Sequence, residues 1–520
     1  MIPELMNSST GFSDGLKQKM SSLNRTKKSI EESEQTRTLK KLLIQAKNTE
    51  FGTFHSFKEI LNSNDPVNMY KAYVPLTSYD GIYDNWIKHS MNGLKNVTWP
   101  GQTSFFAISS GTTKENCKYI PVSDEMLSQF QRTSYRQLIG MMKNNLNKSI
   151  YKSKVLTIGG STKLENLGFC KVGDLSGILS RKKSWAFSPI AKPGKKISML
   201  RDWDEKMDQI VKKAPKWNIG VIAGVPSWTL KLLNRIINKY ELDSIHDMWP
   251  NLQLYLHGGV FLEPYKERLD QIMGKPIAYQ NTFLASEGYF GYQSDLNSEY
   301  MELLTDSGVY FEFIEQKYFD KIINYDFTDV KTVSLDEVKP NTIYSLVISS
   351  CSGLWRYSMG DLVSFNSLGS KAFKIVGRVA YDLNVAGEHL TEEIISNAIM
   401  DVSKMFDCEI LEFCVYPNIK TDRHDWYIGP NKNVCKNKFA VLLDQRLKEL
   451  NQDYQVVRRF HLKTPRVKVL PIDKFYEFMQ INGKSGSQNK FPRVINRVEI
   501  KKWECFLSNS EVFRKSTLND

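Results

Sequence analysis

No stretch of this 520-residue chain approaches the roughly 18 uninterrupted apolar residues that a membrane-spanning helix needs. Its first residues, Met1-Ile2-Pro3-Glu4, lack the charged-then-apolar order of a secretory signal, so a cytoplasmic protein with no membrane partner is expected. The seven cysteines are odd in number and follow no framework spacing, which argues against a disulfide scaffold and for reduced thiols. No CxxC pair exists, so Cys408, Cys414, His424 and Cys435 make a poor metal set. Cys408 and Cys414 read as buried strand residues and His424 as an ordinary polar residue. There is no Gly-x-Ser-x-Gly elbow for a serine nucleophile, and no phosphate loop ending in Gly-Lys-Ser/Thr. Internal repeats, zinc knuckles, helix-turn-helix and aromatic-basic RNA-binding patterns are also lacking.

What is present is apolar material and positive charge. Hydrophobic residues make up 41% of the chain, enough for real cores. The length suits two to four domains, or one large domain with a smaller one appended. The net charge of +13 is compatible with a nucleic-acid partner or with attraction of anionic small molecules. The excess is spread out. Its densest clusters, Arg181-Lys182-Lys183 and residues 192–196, fall in loop-like stretches and read as solvated surface.

Along the chain, residues 14–50 read as a helix, with Leu39, Leu42, Leu43 and Ala46 at helical spacing. Phe51-Gly52-Thr53-Phe54 breaks that pattern. Strand-like and helix-like stretches then alternate. Strands are expected at 105–108, 155–158, 219–223, 252–256 and 283–285, and helices at 123–142, 204–213 and 228–240. A more β-rich section spans 309–365. Beyond about residue 377 come a helix over 392–405, a strand over 410–416 and a helix over 442–450. The pattern predicts an α/β sheet with helices on its faces.

Polar residues and glycines recur where strands end. The strand at 105–108 runs into Ser109-Ser110-Gly111-Thr112-Thr113, then Lys118 and Pro121, with a helix expected from Ser123. Small and hydroxylated residues let several N–H groups and hydroxyls converge on a phosphate. Local sequence alone does not separate this from a Ser/Thr-rich surface turn. Gly258-Gly259 offers exposed backbone on which a flat base could lie. Ser286-Glu287 sets a carboxylate at a strand end, suited to Mg²⁺, and Gly360-Asp361 sets another after a turn, suited to ribose hydroxyls. Singly, each reads as well as a turn glycine, a helix cap or a surface ion pair. Together, in an α/β context, they describe a nucleoside-triphosphate site.

With these motifs in order, the chain resembles the auxin-responsive (Gretchen Hagen) family of acyl-acid amido synthetases, in a bacterial-type form. That family sits within the adenylate-forming superfamily that includes firefly luciferase. The resemblance runs from Thr49-Glu50-Phe51-Gly52 through Trp99-Pro100-Gly101, the Ser109–Thr113 stretch, Ala285-Ser286-Glu287-Gly288 and Gly353-Leu354-Trp355-Arg356-Tyr357-Ser358-Met359-Gly360-Asp361. It ends at Gln488-Asn489-Lys490-Phe491-Pro492-Arg493. It departs from the family at Lys114-Glu115, where glycines are usual, at Phe283, where Tyr is common, and at Ser358, where plant members carry Arg.

The resemblance implies an α/β fold. A large N-terminal adenylate-forming domain over 1–376, with β-sheets flanked by helices, is followed by a hinge at 377–382 and a smaller α+β C-terminal domain over 383–520. It implies ATP-dependent adenylation of a small carboxylic acid, then acyl transfer to an amine, an amino acid being expected, with release of pyrophosphate and AMP. ATP and Mg²⁺ are the implied cofactors. Ser109, Ser110, Gly111, Thr112, Thr113 and Lys118 would hold phosphates, Gly258 and Gly259 the adenine, and Ser286 and Glu287 the second motif, with Glu287 on Mg²⁺. Tyr310 would lie near the nucleotide, Asp361 on the ribose, and Arg378 at the hinge beside ATP. Lys490 would reach the adenylate phosphate, and Lys490 and Glu287 would be the catalytic pair. The acyl pocket would lie between the helix after the central loop and residues 174–179, with Leu175 and Ser176 on its wall and Arg132 or Arg136 facing a carboxylate. A monomer is expected. Two rival readings stand beside this one: ligation of the acid to coenzyme A, and a basic nucleic-acid or membrane-surface binder that keeps the fold without the chemistry.

Overall fold

The computed structural model describes residues 32–109, 118–141, 146–182, 190–379, 383–386, 388–482, 491–495 and 497–516. The first element, α1 (Glu34–Ala46), is capped by Ser33, whose Oγ accepts from the Thr36 N–H at 3.1 Å. Its apolar stripe, Leu39, Leu42, Leu43 and Ala46, is buried as its spacing predicts. Gln35 docks the helix. Its Nε2 donates to the carbonyls of Thr305 (2.8 Å) and Val309 (3.1 Å), and its Oε1 accepts from the Phe311 N–H at 2.7 Å.

The elements that build the site follow in order: β1 (Phe105–Ser109), β2 (Lys118–Val122), α2 (Asp124–Met141), β3 (Lys154–Ile158), β4 (Lys171–Gly173) and α3 (Leu175–Lys182). Then come β5 (Ile219–Gly224), α4 (Pro226–Tyr240), β6 (Leu254–Gly258), α5 (Glu263–Ile272), β7 (Ala278–Ala285), β8 (Gly288–Tyr292) and β9 (Met301–Leu303). The antiparallel section is β10 (Val309–Glu315), β11 (Ile343–Ser350), β12 (Tyr357–Phe365) and β13 (Ala372–Arg378).

These strands form one large sheet. Its order is Thr332–Val333, β10, β11, β12, β13, β9, β8, β7, β6, β5, β3 and Ala191–Lys192. Pairing from β7 through β6, β5 and β3 is parallel, and from β8 to β10 antiparallel. The parallel half packs one face on α4 and α5 through Leu230, Leu233, Ile236, Tyr255 and Leu269. A second sheet, β2-β1-β4 with Glu165–Asn166, stands across from it.

The C-terminal part is α6 (Glu392–Met405), β14 (Ile410–Asn418), β15 (Arg423–Pro430), α7 (Lys436–Leu450), β16 (Arg466–Val469), α8 (Asp473–Ile481) and α9 (Arg497–Ser516). Its three-stranded sheet is covered on both faces. Phe413, Val415, Trp426 and Ile428 pack toward α6 and α7, and the alternate residues Cys414 and Tyr427 toward Phe475 and Trp503. The overall class, α/β with a smaller α+β part, is the one expected.

Several local expectations are corrected. The Ser109–Thr113 stretch does not run from a strand into a helix. Lys118–Val122 pairs antiparallel with β1 from Phe105↔Val122 to Ser109↔Lys118, so residues 110–117 join two strands of a hairpin. Phe51 to Phe54 lies in a short helix, Glu50–Phe54, because the Thr49 side chain caps it by accepting from the Gly52 N–H at 3.0 Å. Asp361 lies inside β12 rather than after a turn, since Gly360 at φ 77° bends the strand without ending it. Cys408 is buried but precedes β14. His424 is not an ordinary polar residue. It is fully buried, with its Nε2 2.7 Å from Glu388 Oε1, and Glu388 also accepts from the Val385 and Ala386 N–H groups at 2.7 Å each.

Candidate active site

Where the parallel half of the sheet meets the antiparallel half, a cavity of about 1150 Å³ opens. Strand ends supply its polar rim, as α/β architecture favours. Ser286 and Glu287 form the two-residue turn between β7 and β8, set by the Ala285↔Gly288 pairing. Asp361 and Arg378 are cross-strand partners on β12 and β13, with Arg378 Nε 3.1 Å from Asp361 Oδ1. Lys118 opens β2. Gly258 ends β6 so close to β7 that a Cβ would lie 2.4 Å from the Thr282 carbonyl oxygen, and Gly259 follows at φ 77°.

The rim is electrostatically coupled. Glu287 is buried, and burial first, then the like charge of Asp361, pushes its carboxyl above the ordinary range, against the pull of Lys118 and Arg378. Burial lowers the Lys118 ammonium, opposed by Glu287. Lys118 Nζ donates to Tyr357 Oη at 3.3 Å and lies 5.4 Å from the centroid of the Tyr79 ring. Tyr79 Oη accepts from the Tyr119 N–H at 2.6 Å, which fixes the strand carrying Lys118. Behind Tyr357, Arg356 is buried and grips Glu312 in a fork, with Nε and Nη2 each 2.9 Å from a carboxylate oxygen.

Of the expected site residues, Ser109, Lys118, Leu175, Ser176, Gly258, Gly259, Ser286, Glu287, Asp361 and Arg378 border this one cavity. Ser110, Gly111, Thr112, Thr113 and Lys490 lie outside the described residues, although their neighbours Ser109, Lys118 and Phe491 border it. Three expected residues are not brought to it. Tyr310 is buried inside the large core, edge-on to Tyr70 at 6.2 Å, because its position on β10 turns it toward the N-terminal helices. Arg132 and Arg136 are exposed on α2. Helical spacing turns Gln131, Ser134, Gln137 and Leu138 to the cavity instead, and Arg136 forks onto Asp306 at 2.9 and 2.8 Å.

Sequence reasoning gave no role to Tyr79, Gln137 or Tyr289, which border the cavity, or to Tyr357, which holds Lys118 from behind it. Only Tyr357 had a signal, its place inside the Gly353–Asp361 motif. The C-terminal part contributes Glu392, Ser396, Phe491 and Arg493 to the wall. Among the described residues no group of three or more His, Cys, Asp or Glu side chains could cage a metal ion. One buried carboxylate, Glu287, with Lys118 near it is a donor set that fits Mg²⁺ arriving on a triphosphate, since that ion keeps few protein ligands. Among the described residues no helix is long and apolar enough to cross a membrane.

Comparison with known proteins gives one family throughout. Residues 20–168 match the GH3 family N-terminal domain, 302–378 the GH3 family central domain and 393–499 the GH3 family C-terminal domain. The chain is 27% identical over 297 residues to the jasmonoyl--L-amino acid synthetase JAR4 of Nicotiana attenuata, covering 53% of this chain and 49% of that one. It is 28% identical over 277 residues to the probable indole-3-acetic acid-amido synthetase GH3.11 of Oryza sativa subsp. japonica, covering 48% and 46%. These matches span about half the length of each relative. Both relatives are plant proteins, and the bacterial-type form expected from the motifs is not borne out. In three dimensions the chain is similar to the GH3.15 acyl acid amido synthetase, with a TM-score of 0.74 at 17% identity over 94% of this chain and 95% of that one.

Proposed function

The chain belongs to the GH3 family, and from that premise we propose that it adenylates a small carboxylic acid with ATP and passes the acyl group to an amine, an amino acid by preference. The observation that carries this reading is the convergence of Lys118, Glu287, Asp361 and Arg378, from separate stretches of sequence, on the rim of one cavity.

In the first step a carboxylate oxygen attacks the α-phosphorus of ATP in line, the bridge to the β-phosphate breaks, and pyrophosphate leaves. The barrier is chiefly the meeting of two anions. Lys118, half-buried on the cavity rim, offsets that charge where solvent screens it less than at an open surface. Asp361, braced by Arg378, accepts from the ribose hydroxyls, and Gly258-Gly259 lets the base approach the backbone. Glu287 is positioned to hold Mg²⁺, which neutralises phosphate charge when bound. In the second step the amine nitrogen attacks the acyl carbonyl, the tetrahedral adduct expels AMP, and the nitrogen's proton passes to solvent. Lys490 is assigned to the first step, carried by a C-terminal domain over 383–520 that turns on a hinge at 377–382 against the domain over 1–376. The described wall residues Phe491 and Arg493 support that assignment.

ATP–pyrophosphate exchange across a panel of carboxylic acids tests the reading. Acid-dependent exchange, followed by AMP release on adding amino acids and not coenzyme A, is the expected result. ATP binding without exchange for any acid would overturn it.

A further inference from the structure

The part of the cavity away from the charged rim is walled largely by carbon. Phe130 and Leu138 of α2, Leu175 of α3, and Val155, Leu256 and Phe283 of the sheet all border it. Among the buried polar side chains that border the cavity are Gln137 and Tyr289, 5% and 4% exposed. Burying such groups is costly unless they are hydrogen-bonded. They are, through a directed chain. Gln280 Nε2 donates to the Gln293 carbonyl at 2.7 Å, Gln137 Nε2 donates to Gln280 Oε1 at 2.9 Å, and Tyr289 Oη donates to Gln137 Oε1 at 2.6 Å.

The anchor fixes the direction of every link. A backbone carbonyl only accepts, so Gln280 must present its amide nitrogen to Gln293 and its oxygen to Gln137. Gln137 therefore presents its own oxygen to Tyr289, whose hydroxyl proton is spent there. Three capacities remain: the second N–H of Gln137, the second lone pair of Gln137 Oε1 and a lone pair of Tyr289 Oη. One is a donor and two are acceptors, on two hydrogen-bonded side chains that border the same cavity.

A hydroxyl matches that set, because it accepts and donates at once. A ketone would meet the N–H but face the tyrosine lone pair with its own. Among the described residues a second carboxylate has no uncommitted cation to meet, Lys118 being given to the phosphate. The described cationic side chains that border the cavity are engaged elsewhere: Lys118 with Tyr357, Lys374 with Glu393, Arg378 with Asp361 and Arg493 with Glu412. Arg132 and Arg136 are exposed on α2 and border no part of it.

We propose that the acid this site takes is a monocarboxylic acid with an apolar body and one hydroxyl, read jointly by Gln137 and Tyr289. The proposal rests on the adenylation reading above. It adds a substrate class and two specificity-determining residues to it.

The test is ATP–pyrophosphate exchange with matched sets of acids. Ring-hydroxylated aromatic and chain-hydroxylated aliphatic acids are each run beside the deoxy acid and the dicarboxylic acid of equal length. The wild-type protein is expected to favour one hydroxylated acid over its deoxy partner by about tenfold or more in kcat/KM, and to reject the dicarboxylic acid. In Gln137→Leu that ratio falls toward one. In Tyr289→Phe it falls part of the way, and the keto analogue gains on the hydroxy acid. Because each ratio compares two substrates on one protein sample, a loss of folded protein cancels from it. Equal use of hydroxy and deoxy acids by the wild-type protein, preference for a dicarboxylic acid, or a ratio unmoved by Gln137→Leu would overturn the proposal and leave adenylation standing. Exchange with no acid at all would instead remove the adenylation reading on which it rests.

Discussion

Replacing Arg356 with methionine removes the anchor behind the charged rim, and the structure sets the scale of the loss. All five guanidinium N–H groups are engaged. Nε and Nη2 hold the two oxygens of Glu312 at 2.9 Å, Nη1 reaches the carbonyls of Lys71 (2.8 Å) and Val74 (2.7 Å), and Nη2 also donates to Thr332 Oγ1 at 3.2 Å. The partner carboxylate is 1% exposed. Methionine fills much of the volume but leaves that carboxylate unpaired, at a cost of about 3–5 kcal/mol. Two buried carbonyls lose charge-assisted partners for about 1 kcal/mol more each. The single variant should therefore lose roughly 5–7 kcal/mol, while Arg356→Met with Glu312→Met should regain about 3 kcal/mol by deleting the stranded charge. Denaturant titration followed by tryptophan fluorescence measures both, read by midpoint at constant slope. Because the next residue, Tyr357, holds Lys118, pyrophosphate exchange per folded molecule should fall in both variants. A single variant within about 1 kcal/mol of the wild type, or a double variant no more stable than the single, would refute this account of the anchor.

Glu287 is pushed up by burial and by Asp361, so kcat/KM for Mg·ATP, which reports the free enzyme, should fall as pH drops through a limb above the ordinary carboxylate range. Asp361→Asn removes the like charge and should move that limb to lower pH, besides raising the KM for ATP; a limb that stays put would break the coupling. Glu287→Gln should cut pyrophosphate exchange by about a hundredfold and flatten its Mg²⁺ dependence, and unchanged exchange would remove Glu287 from the metal. Tyr357→Phe should reduce exchange without altering the Mg²⁺ requirement, through the lost bond to Lys118. Tyr310→Phe, edge-on to Tyr70 in the core, should leave the KM for ATP within about twofold, and a larger change would return that tyrosine to the nucleotide site.

The sequence was most informative where backbone chemistry is local. Gly258-Gly259 and Ser286-Glu287 announced themselves by residue type at strand ends, Asp361 by residue type alone, since it lies inside β12, and the structure brings all of them to one cavity. It was least informative about rotation. Arg132 and Arg136 sit on the right helix but face away, because periodicity locates a polar face without saying which polar residue meets the cavity. Tyr310 stands on the right strand but points into the core, a matter of parity that only the pairing register with β11 fixes. His424 looked ordinary because its partner Glu388 lies 36 residues away in sequence. The strand Lys118–Val122 was hidden by the proline in its middle. That proline is tolerated because β2 is an edge strand, bonded to β1 on one side.

That edge hairpin has a mechanical corollary. Five consecutive residue pairs, from Phe105↔Val122 to Ser109↔Lys118, fix the register of β1 and β2. The following helix is tied down separately, by Ser123 Oγ donating to the Cys351 carbonyl at 2.6 Å. Residues 110–117 thus connect two points whose separation the rest of the protein sets. The register of β1, β2 and the helix is therefore set by contacts outside the stretch that joins them.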